Sequence, residues 1–341
     1  MAHEHHAVLP DAAVEALLPS GRRDGVFVDA TFGRGGHSRR LLQALSPSAR
    51  LIVFDKDAEA IQVARALQGE DSRVTVVHAG FGRLAEALAG LGVDAVDGIL
   101  FDLGVSSPQL DDAQRGFSFQ REGPLDMRMD TRAGPTAGQW LHEADLDELK
   151  EVIARYGEER FAFKIAEAIV ARRESGALRT TRDLAELVAG AVRTREQGRH
   201  PATRSFQAIR IHINQELQEL AHALAAVLGL LAPGGRLAVI SFHSLEDRMV
   251  KQFIAAAARP GAAQARLPIP EKDMPLPLLR PVARLRPDAA ERAHNPRARS
   301  AVMRVAERTA APLTAPAREA VDAVLRLPPL GRAGTGRRRR R

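Results

Sequence analysis

The sequence predicts an α/β fold: a mostly parallel sheet covered by helices, interrupted by a helical insertion and closed by an antiparallel hairpin. Three observations predict it. A β-branched run, Val26-Phe27-Val28-Asp29, passes through a turn holding Gly33, Gly35 and Gly36 into a helical pattern that opens near Ser38. Two further apolar runs end on carboxylates, at Asp55 and Asp102. The alternation of strand and helix then stops after Asp111, gives way to helical spacing alone, and resumes with the run Arg236 to Phe242.

The first unit is a strand, turn and helix of the kind that holds nucleotides. Glycines let a backbone approach a ligand where a Cβ would collide, and the helix start offers unpaired N–H groups. Asp55 closes the next strand, where a carboxylate can accept both hydroxyl protons of a ribose. The same turn also serves as a plain strand-to-helix connection, and an adenosine ribose is common to NAD and S-adenosylmethionine (AdoMet), so this stretch by itself names no cofactor.

A helix over about Ala58 to Leu67 leads to a third strand, Val74 to Ala79, and the turn Gly80-Phe81-Gly82. Phe81, just past a strand end, is placed to lie against a purine or to fill core. The fourth strand, Val96 to Gly104, is apolar throughout and so buried on both faces. Apolar positions at helical spacing fill Asp145 to Arg173, Thr180 with Asp183 forms a cap, and Pro201 suits another helix start, from which a long amphipathic helix is expected to reach Leu231. Pro233-Gly234-Gly235 breaks it ahead of the fifth strand, and His243 to Arg248 turns into a further helix. Two short runs, Val282 to Arg286 and Ala301 to Val305, then suit a closing hairpin, which an AdoMet-dependent sheet has and a six-stranded parallel dinucleotide fold lacks. The expected division is 1–107 and 213–307 for the sheet domain, 108–212 for the helical insertion, and 308–341 for a disordered basic tail.

Composition bounds the chemistry. The chain has 341 residues, 45% of them hydrophobic, and no cysteine, which excludes disulfides, thiolate metal sites and thiol nucleophiles. The net charge of +7 lies wholly from Arg308 onward, where nine arginines face two acidic residues. That tail suits sequence-independent phosphate binding, or plain solvation. The start lacks the apolar core of a signal peptide, and Leu220 to Ala232 is too short to span a bilayer, so a cytoplasmic protein without a membrane partner is expected. His3, His5 and His6 read as an arm, and no metal site is expected.

With these residues assembled, the chain resembles the ribosomal RNA small subunit methyltransferase H family. The match rests on DATFGRGGHS at Asp29, DGILFDLGVSSPQLDD at Asp97, RGFSF at Arg115, GPLDMRMD at Gly123, YGEERFA at Tyr156, HPATRSFQAIRIHIN at His200, APGGRLAVISFHSLEDR at Ala232 and NPRARSAVMRVAER at Asn295. It covers about Val8 to Arg308; Pro10, Ala12 and the stretch Pro260 to Pro281 depart from the pattern, and the tail lies outside it. The resemblance implies a class I AdoMet-dependent methyltransferase fold, Rossmann-like, with 16S rRNA of the small ribosomal subunit as partner, no DNA partner, and the N4 amine of a decoding-region cytosine as target. It places AdoMet contacts on Gly35, Gly36, His37, Asp55, Phe81, Asp102 and Gln109.

The absence of cysteine agrees with an amine target, because methylation of a pyrimidine C5 normally begins with thiolate addition to the ring. Asp102 and the backbone carbonyls of Leu103 to Val105 are the expected acceptors for an amino proton, with Asp102 otherwise only a cofactor-holding carboxylate. Phe117, Phe119, Phe206 and Phe242 are candidate stacking rings or core. Arg204 and Arg210 are candidate phosphate contacts, and His243 is a candidate substrate-side residue or a structural histidine. An NAD-dependent oxidoreductase and a non-catalytic RNA-binding or ribosome assembly factor are the alternatives. The sequence leaves the oligomeric state open.

Overall fold

The computed structural model describes residues 7–176, 178–192, 200–262 and 274–330. His3, His5, His6 and the arginine run 337–341 lie outside the described residues. The chain divides into two compact units: one holds residues 1–104 with 217–327, the other residues 105–216 with 328–341.

In the first unit, α1 (Pro10–Leu17), β1 (Val26–Asp29), α2 (Gly36–Ala44), β2 (Arg50–Asp55), α3 (Ala58–Glu70), β3 (Val74–His78), α4 (Leu84–Gly90) and β4 (Val96–Asp102) follow one another, with α1 and α4 in addition to the elements expected. In the sheet their order is β3-β2-β1-β4, all parallel. The rings of Phe27, Phe54 and Phe101, one from each of three neighbouring strands, are fully buried. Burial of this kind, at about 25 cal/mol per Å² of apolar surface, holds the strand ends in fixed relation.

The second unit carries α5 (Ser107–Asp111), α6 (Ala137–Glu143), α7 (Leu146–Gly157), α8 (Ala162–Ser175), α9 (Thr181–Ala191) and α10 (Thr203–Asn214). The Thr180–Asp183 cap forms as a reciprocal box at the start of α9. Between α5 and α6 runs an irregular segment held by buried side chains. Met127, fully buried, has φ 60°, and Asn214 fixes it from both sides by donating to the Met127 carbonyl and accepting from the Met129 N–H, each at 2.7 Å.

The long helix expected from Pro201 to Leu231 is two helices, the first starting at Thr203. Gln215 takes a left-handed conformation, φ 51°, which ends α10 and starts α11 (Glu216–Leu230). Apolar periodicity runs through that break and so gives no sign of it.

Back in the first unit, β5 (Leu231–Ser241) starts ahead of the Pro-Gly-Gly triplet, its register against β4 shifting between Val96 and Gly98. It is followed by α12 (Ser244–Ala258), β6 (Leu279–Leu285), α13 (Ala289–His294) and β7 (Val302–Arg308). β7 pairs antiparallel with both β5 and β6, giving the full order β3-β2-β1-β4-β5-β7-β6.

The disordered tail expected from residue 308 is corrected over its first part. Arg308 ends β7 and is buried, donating to the carbonyls of Leu228 and Leu278. Beyond it α14 (Ala315–Leu325) packs on α12 and buries Ala317, Val321 and Leu325. The charge total of the tail masked an amphipathic helix that itself holds one arginine, Arg318, and both acidic residues.

Candidate active site

Four strand ends of the first unit carry the site: β1, β2, β3 and β4. At the end of β1, Asp29 is almost wholly buried; it accepts the Ser38 hydroxyl at 2.6 Å and the Thr31 N–H at 3.2 Å. One carboxylate thereby ties the turn to the first helical turn of α2. Burial pushes its pKa up, against the Ser38 hydrogen bond. Thr31 also accepts the Asp102 N–H at 2.6 Å, which joins the turn to β4.

The glycines have separate reasons. Gly33 and Gly35 sit at φ 56° and 80°, where a side chain is strained. A Cβ on Gly35 would stand 2.7 Å from the Phe32 ring, and one on Gly36 would stand 2.9 Å from Ala7. Gly35 is the N-cap of α2 and makes no side-chain cap, so the first N–H groups of that helix depend on other partners.

Asp55, at the end of β2, accepts the Gly33 N–H and the Asp57 N–H, both at 2.8 Å. Each oxygen has a second lone pair for a ligand donor. Burial raises its pKa to about 6, opposed by those two N–H bonds. Past β3, Phe81 is half-buried and set edge-on against Phe101, ring centroids 5.6 Å apart at 85°.

At the end of β4, Asp102 Oδ1 is buried and has no hydrogen-bond partner among the described residues. Its Oδ2 lies 3.5 Å from His37 Nδ1, an electrostatic approach. Burial lifts the Asp102 pKa to about 6; His37 opposes this, and Asp29 and Glu246 add to it. The imidazole of His37 is 5% exposed, with Nε2 2.9 Å from the Val8 carbonyl. A carbonyl only accepts, so Nε2 carries the hydrogen and Nδ1 faces the Asp102 carboxyl.

The structure thus brings together Gly35, Gly36, His37, Asp55, Phe81 and Asp102 in one unit. His243, also in this unit, sits at the N-cap of α12. Its Nδ1 accepts the Glu246 N–H at 3.4 Å, and its Nε2 lies 3.1 Å from Glu246 Oε1 without hydrogen-bond geometry.

Gln109, Arg204 and Arg210 belong to the other unit. Gln109 is buried, and its side-chain oxygen accepts the Ser106 N–H to cap α5. Arg204 donates to the Glu158 carbonyl at 2.8 Å. Arg210 is corrected as a phosphate contact: its guanidinium is clamped on both carboxylate oxygens of Glu216 at 2.8 Å, with side chains 16% and 8% exposed. Such a pair is costly to open for another anion. Sequence reading missed Asp29, Thr31 and Ser38 as the frame of the turn; the signal available was a carboxylate closing β1 with hydroxyls on both sides of the glycines.

A parallel sheet closed by an antiparallel strand, with a glycine turn after β1 and carboxylates ending β2 and β4, defines a class I AdoMet-dependent methyltransferase. The MraW methylase family matches this chain over residues 2–309. Among its relatives, the ribosomal RNA small subunit methyltransferase H of Bordetella petrii is 60% identical, covering 99% of this chain and 98% of its own. The protein of that name from Bordetella pertussis is 64% identical over 89% of this chain and 82% of its own, and that of Janthinobacterium sp. 57% identical over 90% and 95%. The chain belongs to the MraW methylase family. Family and antiparallel closure both favour AdoMet over a nicotinamide dinucleotide.

Proposed function

We propose that this protein transfers a methyl group from AdoMet to the exocyclic N4 amine of a cytosine in the decoding region of 16S rRNA, acting on the small ribosomal subunit in the cytoplasm. No helix among the described residues is long and apolar enough to cross a membrane.

The residues present fit the cofactor. The positive-φ turn at Gly33 and Gly35 and the first N–H groups of α2 suit its amino-acid end. Asp55 has lone pairs left for the ribose hydroxyls, and Phe81 offers a half-buried ring for adenine. His37 makes its contribution through its main chain, since its ring is already held. When bound, AdoMet supplies a sulfonium-activated methyl group that is displaced in line.

What the chain itself must do is align and polarise the nucleophile. A cytosine amine is weak because its lone pair is delocalised into the ring. An acceptor that draws an amino proton out of the ring plane restores part of that lone pair, and it counts most in the transition state. The observation that carries this reading is the buried, unpartnered Oδ1 of Asp102 at the carboxyl end of β4. The methylated ammonium is acidic enough to lose its proton to water, so no strong base is needed. The target base leaves its stack to reach the methyl group.

Mass-spectrometric mapping of rRNA after treating small subunits that lack the modification tests the proposal. One N4-methylcytosine at a single decoding-region position is the expected product. Methylation at another atom refutes the target, and no incorporation above background favours an assembly factor.

A further inference from the structure

Three rings in the second unit form a ladder from its core to its surface. Phe206, in the first turns of α10, is 5% exposed. Its ring meets Phe119 edge-on, with centroids 4.9 Å apart and planes at 74°. Phe119 is half-buried and lies against the imidazole of His200, centroids 4.5 Å apart and planes at 33°. His200 is exposed.

His200 is also fixed in orientation, because its Nδ1 accepts the Ala202 N–H at 3.2 Å. That turn needs only an acceptor atom, which asparagine, aspartate or serine provides. Folding therefore accounts for the acceptor and leaves the exposed aromatic ring unaccounted for. Phe119 lies on one side of this imidazole, and the residue as a whole is exposed. Two cations accompany the ladder in the same unit: Arg121, in the loop after Phe119, donates to the Asp111 carbonyl, and Arg204, on α10, donates to the Glu158 carbonyl.

From this arrangement we infer that the His200–Phe119 stack is a platform for an unstacked base of the RNA substrate, with Arg121 and Arg204 toward its backbone. Single-stranded bases are held by stacking on aromatic faces, and the loss of one such contact weakens binding by roughly 5- to 100-fold. The inference rests on the reading of RNA as substrate and adds to it the residues that hold one base.

His200→Asn keeps the acceptor for Ala202 and removes the ring; His200→Phe keeps a ring. For His200→Asn the expected result is a rise of roughly 5- to 100-fold in KM for small subunits, with S-adenosylhomocysteine affinity by calorimetry and the thermal midpoint unchanged. His200→Phe should recover most of the loss. Ultraviolet crosslinking of labelled oligouridylate to the full chain should mark the peptide bearing Phe119 or His200, and Phe119→Leu should abolish that mark. A wild-type KM in His200→Asn, or crosslinks confined to other peptides, overturns the platform. A wild-type chain that crosslinks at the ladder but methylates no rRNA refutes the proposed activity and leaves the platform standing.

Discussion

Asp102 and Asp55 work at the expense of stability. Burial brings each to about 6 from an ordinary 3.8. Between about pH 4 and 6 the folded chain keeps protons that the unfolded chain has released, so these two groups make stability fall as pH rises through that window. Asp102→Asn keeps the shape without the charge. It should stabilise the cofactor-free protein near pH 7.5 by roughly 1–3 kcal/mol and leave it little changed near pH 4, as read from urea unfolding. The same substitution should lower the rate of methyl transfer far more than AdoMet affinity; equal losses would reduce Asp102 to a cofactor ligand. In the wild-type enzyme the acid limb of kcat/KM, which reports the free enzyme, should fall with an apparent pKa of about 6. Asp55→Ala, by contrast, should weaken AdoMet binding by roughly 10- to 100-fold, measured by calorimetry. These two acids were legible in the sequence because each ends an apolar run. The Asp29–Ser38 and Asp102–Thr31 bonds were not, since hydroxyls scattered across a turn follow no period.

Each strand of the sheet has a counterpart in the sequence reading, although β5 starts at Leu231 rather than Arg236, β6 is only partly apolar, and the strand order was not among those expectations. The breaks inside helical stretches were harder. Gln215 at φ 51° ends α10 without glycine or proline to announce it, and the clamp of Arg210 on Glu216 spans that break, a pairing at i, i+6 that one continuous helix would keep apart. A left-handed glutamine carries a steric cost that glycine avoids. Gln215→Gly should therefore raise stability by roughly 0.5–1 kcal/mol, and Gln215→Val should lower it, in a thermal melt. The segment around Met127 was harder to read for a different reason: Asn214, far away in sequence, and Arg115 hold its backbone, while the local contribution is the bonding of Arg128 to Asp126.

For the whole molecule, the charge balance misled at the C-terminus: summed over the tail it hides α14, which holds Arg318 together with both acidic residues, Glu319 and Asp322, and belongs to the fold. A chain ending after Leu330 should methylate small subunits within a few-fold of the full chain. One ending after Thr314 forfeits the burial of Val321 and Leu325 on α12 and should lose roughly 3–5 kcal/mol in urea unfolding. The sheet is also assembled from two distant stretches of chain, because β4 ends at Asp102 and its partner β5 starts only at Leu231. During synthesis the ribosome therefore releases β1 to β4 long before β5 emerges, with one edge of β4 open to unwanted pairing. Nascent chains arrested short of Leu231 should accordingly be captured by chaperones and cut by protease, and gain resistance only once β7 has cleared the exit tunnel.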